Sequence, residues 1–342
     1  MLSRLLVLFA VFRAADAAAD DRVILQPAGT SSRVTVTGRI EDFTGRELTL
    51  VTGVANGMKK YASSEVVEIT TTYTEAHERG RRELAEGRVN EAWESLTAAM
   101  DDEDRGWVRR EILALQIQCA YRQGAYSRAA TRFLAITQAD PVSPHYRLIP
   151  LVWTESPPKG LQPGDARPWL TSESLPARLI GASWLLTGPD AAAGKHAMLA
   201  LATESHPYIQ RLAQAQLWRL RLAEGNLSAA EVRRWEQLND EWPEVLRPGP
   251  YFLIGRGYAD RQEWLLSAAA MMWLPVEYAD RRDLATEAQL RAANALASAG
   301  DAAAAIRLAR EMTVRFAESP QAVEARQLIE RLTAASTSPR EP

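Results

Sequence analysis

The strongest constraint on the fold is a turn residue that recurs about every 37 residues. The steps of 37, 64, 37 and 75 residues separate Gly87, Gly124, Gly188, Gly225 and Gly300. The last step is two periods with Gln262 at its midpoint, and the 64-residue step is one period plus an insertion of about 27 residues. A fixed period of this length indicates stacked copies of one small unit, so the sequence predicts about six units.

Two further positions keep the same register around each turn. Small residues stand five positions after every turn, at Ala92, Ala129, Ala193, Ala230, Ser267 and Ala305. Seven positions before the turns, Gly or Ala occupies four of the six positions, which are Gly80, Ile117, Gly181, Trp218, Gly255 and Ala293. Glycine can leave a helix at positive φ, and small side chains let two helices approach closely. Each unit is therefore predicted to be a helical hairpin, with Ser127, Ser228 and Asp301 placed to cap second helices.

This pattern resembles the tetratricopeptide repeat, a helix pair with small residues at its eighth and twentieth positions and glycine near its fifteenth. The best match is residues 73–100, YTEAHERGRRELAEGRVNEAWESLTAAM. The resemblance covers about residues 73–335 and implies a mainly α fold, a right-handed α-solenoid of about six TPR-like helix pairs. Repeats 1–2 would occupy residues 73–141 and repeats 3–6 residues 169–335. The period is about three residues longer than the family's, and Ile117 and Trp218 replace small residues.

The insertion between the second and third units occupies residues 142–168. It is rich in residues that interrupt helices, namely Pro144, Pro150, Pro157, Pro158, Pro163, Pro168, Gly160 and Gly164. Proline removes a backbone donor, so this stretch is predicted to be a crossing loop or a break between two sub-arrays. The polar tail, residues 336–342, is predicted to be disordered.

The N-terminal part differs from the rest because residues 22–70 are rich in β-branched residues. The stretches RVILQP, RVTVTGRI, ELTLV and EVVEI are separated by turn signals, among them Asn56-Gly57. They predict a small β-barrel-like domain that resembles SH3-like or Sm-like barrels. The net charge of the whole chain is only −3, and basic and acidic residues nearly balance in this stretch. No nucleic-acid partner is therefore expected.

Residues 1–19 have the features of a signal peptide. Arg4 precedes the apolar run from Leu5 to Phe12, and small residues follow from Ala15 to Ala19. The run is too short to span a bilayer, and no transmembrane span is expected. The chain is therefore predicted to be exported to the periplasm or cell envelope, the alternative being a frayed or membrane-associated N-terminus. The combination of signal, β domain and degenerate repeats looks like uncharacterised exported bacterial repeat proteins.

The sequence contains no recognisable catalytic or cofactor motif. The HExxH, G-x-x-x-x-G-K and G-x-S-x-G patterns are absent, and His196 and His206 are not spaced as metal ligands on one helix face. Cys119, the single cysteine, lies in an apolar helical pattern and is read as an inert buried thiol, because a nucleophile would need a base that the sequence does not reveal. No enzyme activity, cofactor or metal is predicted.

The predicted partner surface follows from the resemblance, in which the ninth position of each first helix faces the concave side. That row reads Arg81, Gln118, Ala182, Arg219, Arg256 and Asn294. Guanidinium and amide donors suit carboxylates. The five polar residues are therefore predicted to bind a protein or peptide, through an acidic or carboxylate group. The alternative is an ordinary solvated groove. If the residues of the row are exposed, alanine substitutions should change stability by at most about 0.5 kcal/mol each.

The function predicted from these features is that of a non-catalytic exported protein–protein interaction scaffold. The alternative is an envelope protein that binds a glycan or cell-wall polymer through exposed Trp and Arg. Ten tryptophans make that alternative worth considering, and Trp153 and Trp169 flank the insertion where they would be exposed. An enzyme or nucleic-acid binder acting through the β domain is a third hypothesis.

Overall fold

A computed structural model describes residues 21–53, 57–155, 157–158, 160–161 and 163–337. The predicted signal peptide at residues 1–19 lies outside these residues. The chain divides into two compact units between Tyr73 and Thr74. Among the described helices, none is both long enough and apolar enough to cross a membrane.

The first unit is a small antiparallel sheet with the spatial order β4-β3-β2-β1-β5. Its strands are β1 (Asp21–Leu25), β2 (Val34–Phe43), β3 (Glu47–Thr52), β4 (Gly57–Ala62) and β5 (Val66–Thr70). The predicted N-terminal β unit is confirmed, but β4 and β5 do not pair, so the sheet is not a closed barrel. Thr52 pairs with Gly57 as the Asn56-Gly57 signal predicts, although residues 54–56 lie outside the described residues.

The core of the sheet explains two features of its sequence. Alternate residues on β1 to β3 point inward, and the buried apolar side chains are Val23, Leu25, Ile40, Leu48 and Leu50. Gly38 stands where β2 approaches β3 so closely that an added Cβ would lie 2.3 Å from the carbonyl oxygen of Val51. Glycine at this position of the V-x-G-x-I stretch is therefore required by packing.

The second unit contains helices and no strand in its described residues. Its helices are α1 (Glu75–Ala85), α2 (Val89–Asp102), α3 (Gly106–Arg122), α4 (Tyr126–Ala139), α5 (Pro163–Ala166), α6 (Leu175–Leu185), α7 (Ala191–Leu201), α8 (Pro207–Glu224), α9 (Ala229–Glu241), α10 (Pro248–Asp260), α11 (Trp264–Glu277), α12 (Arg282–Ser298), α13 (Ala302–Arg315) and α14 (Pro320–Thr337). The chain is thus mainly α with a small N-terminal sheet. Because α14 ends at Thr337, the predicted disordered tail begins too early, and residues 338–342 lie outside the described residues.

The turn positions read from the sequence carry the backbone conformation that the repeat requires. All six have positive φ: Gly87 at 84°, Gly124 at 66°, Gly188 at 89°, Gly225 at 73°, Gln262 at 62° and Gly300 at 86°. Gln262 is informative because a residue with a side chain seldom adopts positive φ. Each of these residues separates two consecutive helices, so the hairpin register is confirmed at the turns.

The small residues after the turns are buried in four units and exposed in two. Ala92, Ala129, Ser267 and Ala305 are buried, whereas Ala193 and Ala230 are exposed. The predicted burial of Ala193 and Ala230 is therefore wrong.

Turn length explains this difference. The second helix begins two residues after the turn in four units, but three residues after Gly188 and four after Gly225. The buried position moves by the same one and two residues, to Gly194 and Val232. An added Cβ on Gly194 would lie 2.9 Å from the backbone of Leu185, so the close approach is kept.

Two of the three predicted caps are found. Ser228 forms a capping box with Glu231, and the Asp301 side chain accepts a hydrogen bond from the backbone N–H of Ala304 at 2.8 Å. Ser127 is not a cap, because α4 already begins at Tyr126 and Ser127 lies inside its first turn. Its hydroxyl donates instead to Asp165 at 2.6 Å.

Candidate partner-binding cleft

The insertion passes along the first helices of the later units, where the concave row was predicted. A short 3-10 helix, Pro144–Leu148, leads into a stretch without helix or strand that reaches residue 155. We call residues 147–155 the inner segment. Six of its carbonyls accept hydrogen bonds from side chains of the surrounding helices. The donors are Tyr121 on α3, Trp184 on α6, Gln216 and Arg219 on α8, Arg256 on α10, and Arg281 just before α12.

Both backbone polar groups of Val152 are bound by side chains. Its N–H donates to Ser183 Oγ at 2.9 Å, and its carbonyl accepts from Gln216 Nε2 at 3.0 Å. Ser183 in turn donates to Gln216 Oε1 at 2.9 Å, which closes a ring of three hydrogen bonds. Arg219 Nη1 adds a longer contact of 3.4 Å to the same carbonyl. Buried backbone groups need such partners, because an unpaired one costs about 1–3 kcal/mol.

The start of the inner segment is held by Arg281, which is only 2% exposed. Its Nη1 donates to the carbonyls of Arg147 and Ile149 at 3.0 and 3.2 Å. Its other nitrogens pair with Asp283 at 3.1 Å, and its guanidinium lies 4.7 Å from the centre of the Tyr121 ring. Burial alone would lower the pKa of Arg281, but Asp283 raises it above the ordinary value, so the residue stays charged.

The side chains of the inner segment are part of the helical core. The buried members are Leu148, Ile149, Leu151, Val152 and Trp153. The Trp153 ring lies directly against the backbone of α10 at Gly249, where an added Cβ would be 2.0 Å from the ring. Removing these residues from water is worth roughly 1.5–3 kcal/mol for each large side chain. The inner segment is therefore a structural element rather than a loosely attached loop.

The segment ends at a carboxylate held by two arginines. Glu155 lies 2.9 Å from Arg256 Nε and 2.8 Å from Arg291 Nη2. Burial alone would raise the pKa of Glu155, but the charges of Arg256 and Arg291 lower it below the ordinary 4.5. Because its side chain is 48% exposed, Glu155 stands where the buried segment returns to solvent.

The predicted row of partner-binding residues is divided by this arrangement. Arg219 and Arg256 are 4% and 9% exposed and are bound to the inner segment, so neither is an exposed member of the row, although Arg256 also lines one of the cavities below. Burial, together with the nearby Arg256, lowers the pKa of Arg219 to about 10. Asn294 is exposed. Arg81 is exposed and Gln118 is half-buried, and neither lines the two cavities described below.

Beyond Glu155 the same surface is open. One cavity of about 340 Å³ is lined by Arg256, Arg291 and Asn294, with Trp264 and Met271 from α11. A second cavity, of about 580 Å³, is lined by residues of α3, α12, α14 and the inner segment. Glu287 and Glu324 line both, so we describe the two cavities together as the open cleft.

The open cleft contains two arginines without a carboxylate partner. Arg122 donates to the carbonyl of Leu84, and Arg282 donates to that of Arg315 at 3.3 Å. Within the described residues neither lies within salt-bridge distance of an acidic side chain. Burial lowers the pKa of both, and the positive charge of Arg282 lowers that of Arg122 further, while Glu318 in the same cavity acts in the opposite direction on both. These are the cations of the cleft that are available to an anionic group.

A polar group with unused hydrogen-bonding capacity lies in the same cleft. Tyr126 is only 9% exposed, and its hydroxyl has no hydrogen-bond partner among the described residues. Burial raises the pKa of Tyr126, so the hydroxyl remains protonated and can donate. The hydroxyl oxygen itself is not fully buried, so water or a ligand in the cleft can reach it.

The tryptophans are mostly inside the protein. Among the ten, only Trp273 counts as exposed, at 47%, and Trp153, expected to be exposed, is 3% exposed. Trp218, which replaces a small residue, lies between Trp235 and Trp242, with ring centres 5.2 and 5.4 Å away. The exposed row of indoles that a glycan platform would use is not present in the described residues.

The described residues offer little for catalysis. Burial raises the pKa of the Cys119 thiol to about 11, which disfavours the nucleophilic thiolate. No group of three or more His, Cys, Asp or Glu side chains in the described part of the chain could hold a metal ion.

Sequence reasoning missed most of the residues that hold the inner segment. Arg291 could have been found, because it lies one helical turn before Asn294 on the same helix. Arg281 precedes α12 and belongs to no repeating position, so no periodic signal marks it. Comparison of the sequence with models of known protein families found no match, and comparison with curated proteins also found none.

Proposed function

We propose that this chain is a non-catalytic, exported protein-interaction scaffold that binds a polypeptide carboxylate in the open cleft. The helical unit would act as a tetratricopeptide-like right-handed solenoid. One observation supports the proposal above the others: the inner face of α3, α6, α8 and α10 binds a non-helical polypeptide through its backbone carbonyls. The open cleft continues the same surface over α12 and α14, and there the donors have no polypeptide to bind.

The chemistry of the cleft favours a carboxylate as the recognised group. Neither Arg122 nor Arg282 forms a salt bridge in the described residues. Arg282 lowers the pKa of Arg122, Arg315 lowers that of Arg282, and Glu318 does not restore either pKa to its ordinary value, so an added anion would stabilise both cations. Arginine forms charge-assisted pairs with carboxylates, each worth about 1.5–3 kcal/mol. Asn294 would contribute amide hydrogen bonds at the far end of the cleft. Arg219 and Arg256 are not part of the proposed site, because their donors already hold the inner segment.

The test is a binding screen with paired peptides. A library of peptides of about eight residues is prepared with free C-termini and again with amidated C-termini, and binding to the full chain is measured by calorimetry. We expect the free acids to bind at least about tenfold more tightly, the equivalent of about 1.4 kcal/mol. Arg282→Gln should remove this preference, and Arg310→Gln, an exposed position on α13, should retain it. Equal affinity for both peptide forms would contradict the proposal.

Export is the part of the proposal that depends on residues 1–19 alone. The apolar run from Leu5 to Phe12 supports it. Expression of the full chain in a bacterium with two membranes, followed by fractionation and N-terminal sequencing, tests it. We expect a periplasmic product that begins after Ala17 or Ala19, and Leu8→Arg should leave the uncleaved protein in the cytoplasm. A cytoplasmic wild-type product that still carries Met1 would contradict export.

A further inference from the structure

The outward side of α11 is apolar to an extent that no folding role explains. From Trp264 to Val276 the helix carries no charged residue. Ten large apolar side chains are exposed in the described residues, and four of them lie here: Leu265 at 65%, Leu266 at 46%, Trp273 at 47% and Val276 at 62%. Contiguous exposed apolar patches of this kind mark interaction sites more often than chance.

These side chains form one continuous stripe. Leu265, Ala269, Trp273 and Val276 follow the spacing of one helix face, and Leu266 borders them. We call these five residues the α11 face. A 14-residue helix is about 21 Å long, so the stripe runs the full length of α11. Trp273 is held in place by stacking on Tyr251, with ring centres 5.3 Å apart and planes within 12°.

Contacts at both ends place α9 beside α11, with their starts together and their ends together. The two helices start together, because Arg261 donates to Leu227 before α9 and pairs with Glu263 before α11. They also end together, since the Tyr251 ring that stacks on Trp273 donates its hydroxyl to Asp240 at 3.3 Å.

The exposed charges on α9 lie in two blocks of opposite sign. Arg233 and Arg234 are exposed in its first half, and Asp240 and Glu241 are exposed at its end. Its two other carboxylates are half-buried and already bound, Glu231 to Arg221 and Glu236 to the hydroxyl of Tyr258. The border of the α11 face is thus basic beside its start and acidic beside its end. The whole of α9 carries two basic and four acidic side chains, so this border has no net attraction for an anionic lipid surface.

We propose that a second copy of this chain docks on the α11 face, with the two α11 helices antiparallel across a twofold axis. In that arrangement Leu265 and Leu266 of one copy meet Trp273 and Val276 of the other. The two α9 helices then also run antiparallel, so the basic block of each faces the acidic block of the other. A twofold interface must be self-complementary in this way. A standard interface buries about 800 Å² on each partner, which is more than one face of a single helix supplies. The α9 border is therefore included in the proposed interface.

The first test is the mass of the full chain by sedimentation velocity over a concentration series. We expect a dimer for the wild type and a monomer for Leu265→Lys with Val276→Lys, two positions exposed enough to leave the fold unchanged. Val314→Lys is the matched control, because Val314 is 83% exposed on α13 and outside the α11 face. A monomeric wild type at about 100 µM, or a dimer that tolerates both lysines, would overturn the proposal.

The second test addresses the antiparallel register. Arg234→Glu alone and Glu241→Arg alone should each weaken the dimer at least about tenfold, because like charges then face each other. The double variant should recover most of the loss, and failure to recover would overturn the antiparallel arrangement.

Cosedimentation with neutral phosphatidylcholine vesicles tests whether the α11 face binds lipid instead of a second copy. A wild type that binds vesicles as a monomer, and loses this binding in Leu265→Lys, would assign the α11 face to a lipid surface instead.

Discussion

The inner surface of the helical unit has a filled region and an open region built from the same kind of residues. In the filled region, Arg219 and Arg256 are buried and donate to the inner segment. In the open region, Arg122 and Arg282 have no acidic partner in the described residues, and Asn294 is exposed. The insertion between the second and third repeats therefore covers part of the predicted row of donor side chains, and those side chains are buried in the core. The position of a residue within its repeat decides where its side chain points, and the insertion decides what it binds.

The largest effect that would sharpen this contrast is expected at Arg281. Replacing it with Met leaves the carbonyls of Arg147 and Ile149 and the carboxylate of Asp283 without their partner. Breaking a buried ion pair in this way costs about 3–5 kcal/mol. Urea unfolding measures the free energy, with Arg310→Met as the exposed control at about 0.5 kcal/mol or less. A loss of unfolding free energy below 1 kcal/mol for Arg281→Met would contradict the account that Arg281 holds the inner segment in the filled region.

A smaller loss is expected where Trp153 packs on α10. The Cβ of Gly249→Ala would overlap the indole ring, and overpacking of this kind costs about 1–3 kcal/mol. Gly106→Ala is the matched control, since the nearest atom to its Cβ is 3.8 Å away on the flexible side chain of Arg110. Thermal unfolding of both variants should show a lower midpoint for Gly249→Ala alone. Equal midpoints would mean that the inner segment does not lie against α10.

The boundary between the two regions should respond to pH. Because Arg256 and Arg291 lower the pKa of Glu155, its stabilising effect is present above about pH 4.5 and is lost as the pH falls through the lowered value. The side chain is nearly half exposed, so the effect is expected to be below about 1 kcal/mol. The difference in unfolding free energy between wild type and Glu155→Gln should therefore shrink from pH 6 to pH 3. A difference that stays constant over this range would exclude the ion pair.

The smallest change is expected in the open region. Asn294→Ala removes an exposed side chain whose one hydrogen bond is to the carbonyl of Leu290 in its own helix. The unfolding free energy should change by about 0.5 kcal/mol or less. Arg219→Ala, two periods earlier in the same predicted row, should by contrast cost several times more, because Arg219 is buried against Val152 and Ser183. Similar losses of unfolding free energy at the two positions would contradict the division of the inner surface into a filled and an open region.

The helical hairpins could be predicted from sequence because their signals are local and periodic. Positive φ at Gln262 follows from the spacing of the glycines alone. The misplaced small residues, Ala193 and Ala230, show the limit of this approach, since a turn longer by one or two residues shifts every later position in the hairpin. Those extra residues are visible only when the start of the second helix is known.

The candidate site could be predicted only in part. Arg256 and Asn294 of the row line one cavity, and partner binding by the row stays a prediction. The inner segment could not be placed, because its prolines indicate only that it is not a helix. Its partners, such as Tyr121 and Trp184, are separated from it by about 30 residues and share no motif with it. Contacts of this kind depend on the packing of the whole unit.

The most direct test of the central claim is hydrogen exchange of the inner segment in the intact chain, followed by mass spectrometry. The backbone N–H of Val152 is bound to Ser183, and the flanking side chains are buried, so this stretch should open only when the helical unit unfolds. We expect peptides that cover residues 146–153 to exchange as slowly as those from α8 and α10. Exchange as fast as that of the exposed turn at Gly188 would contradict the account, because the inner face would then be an open groove.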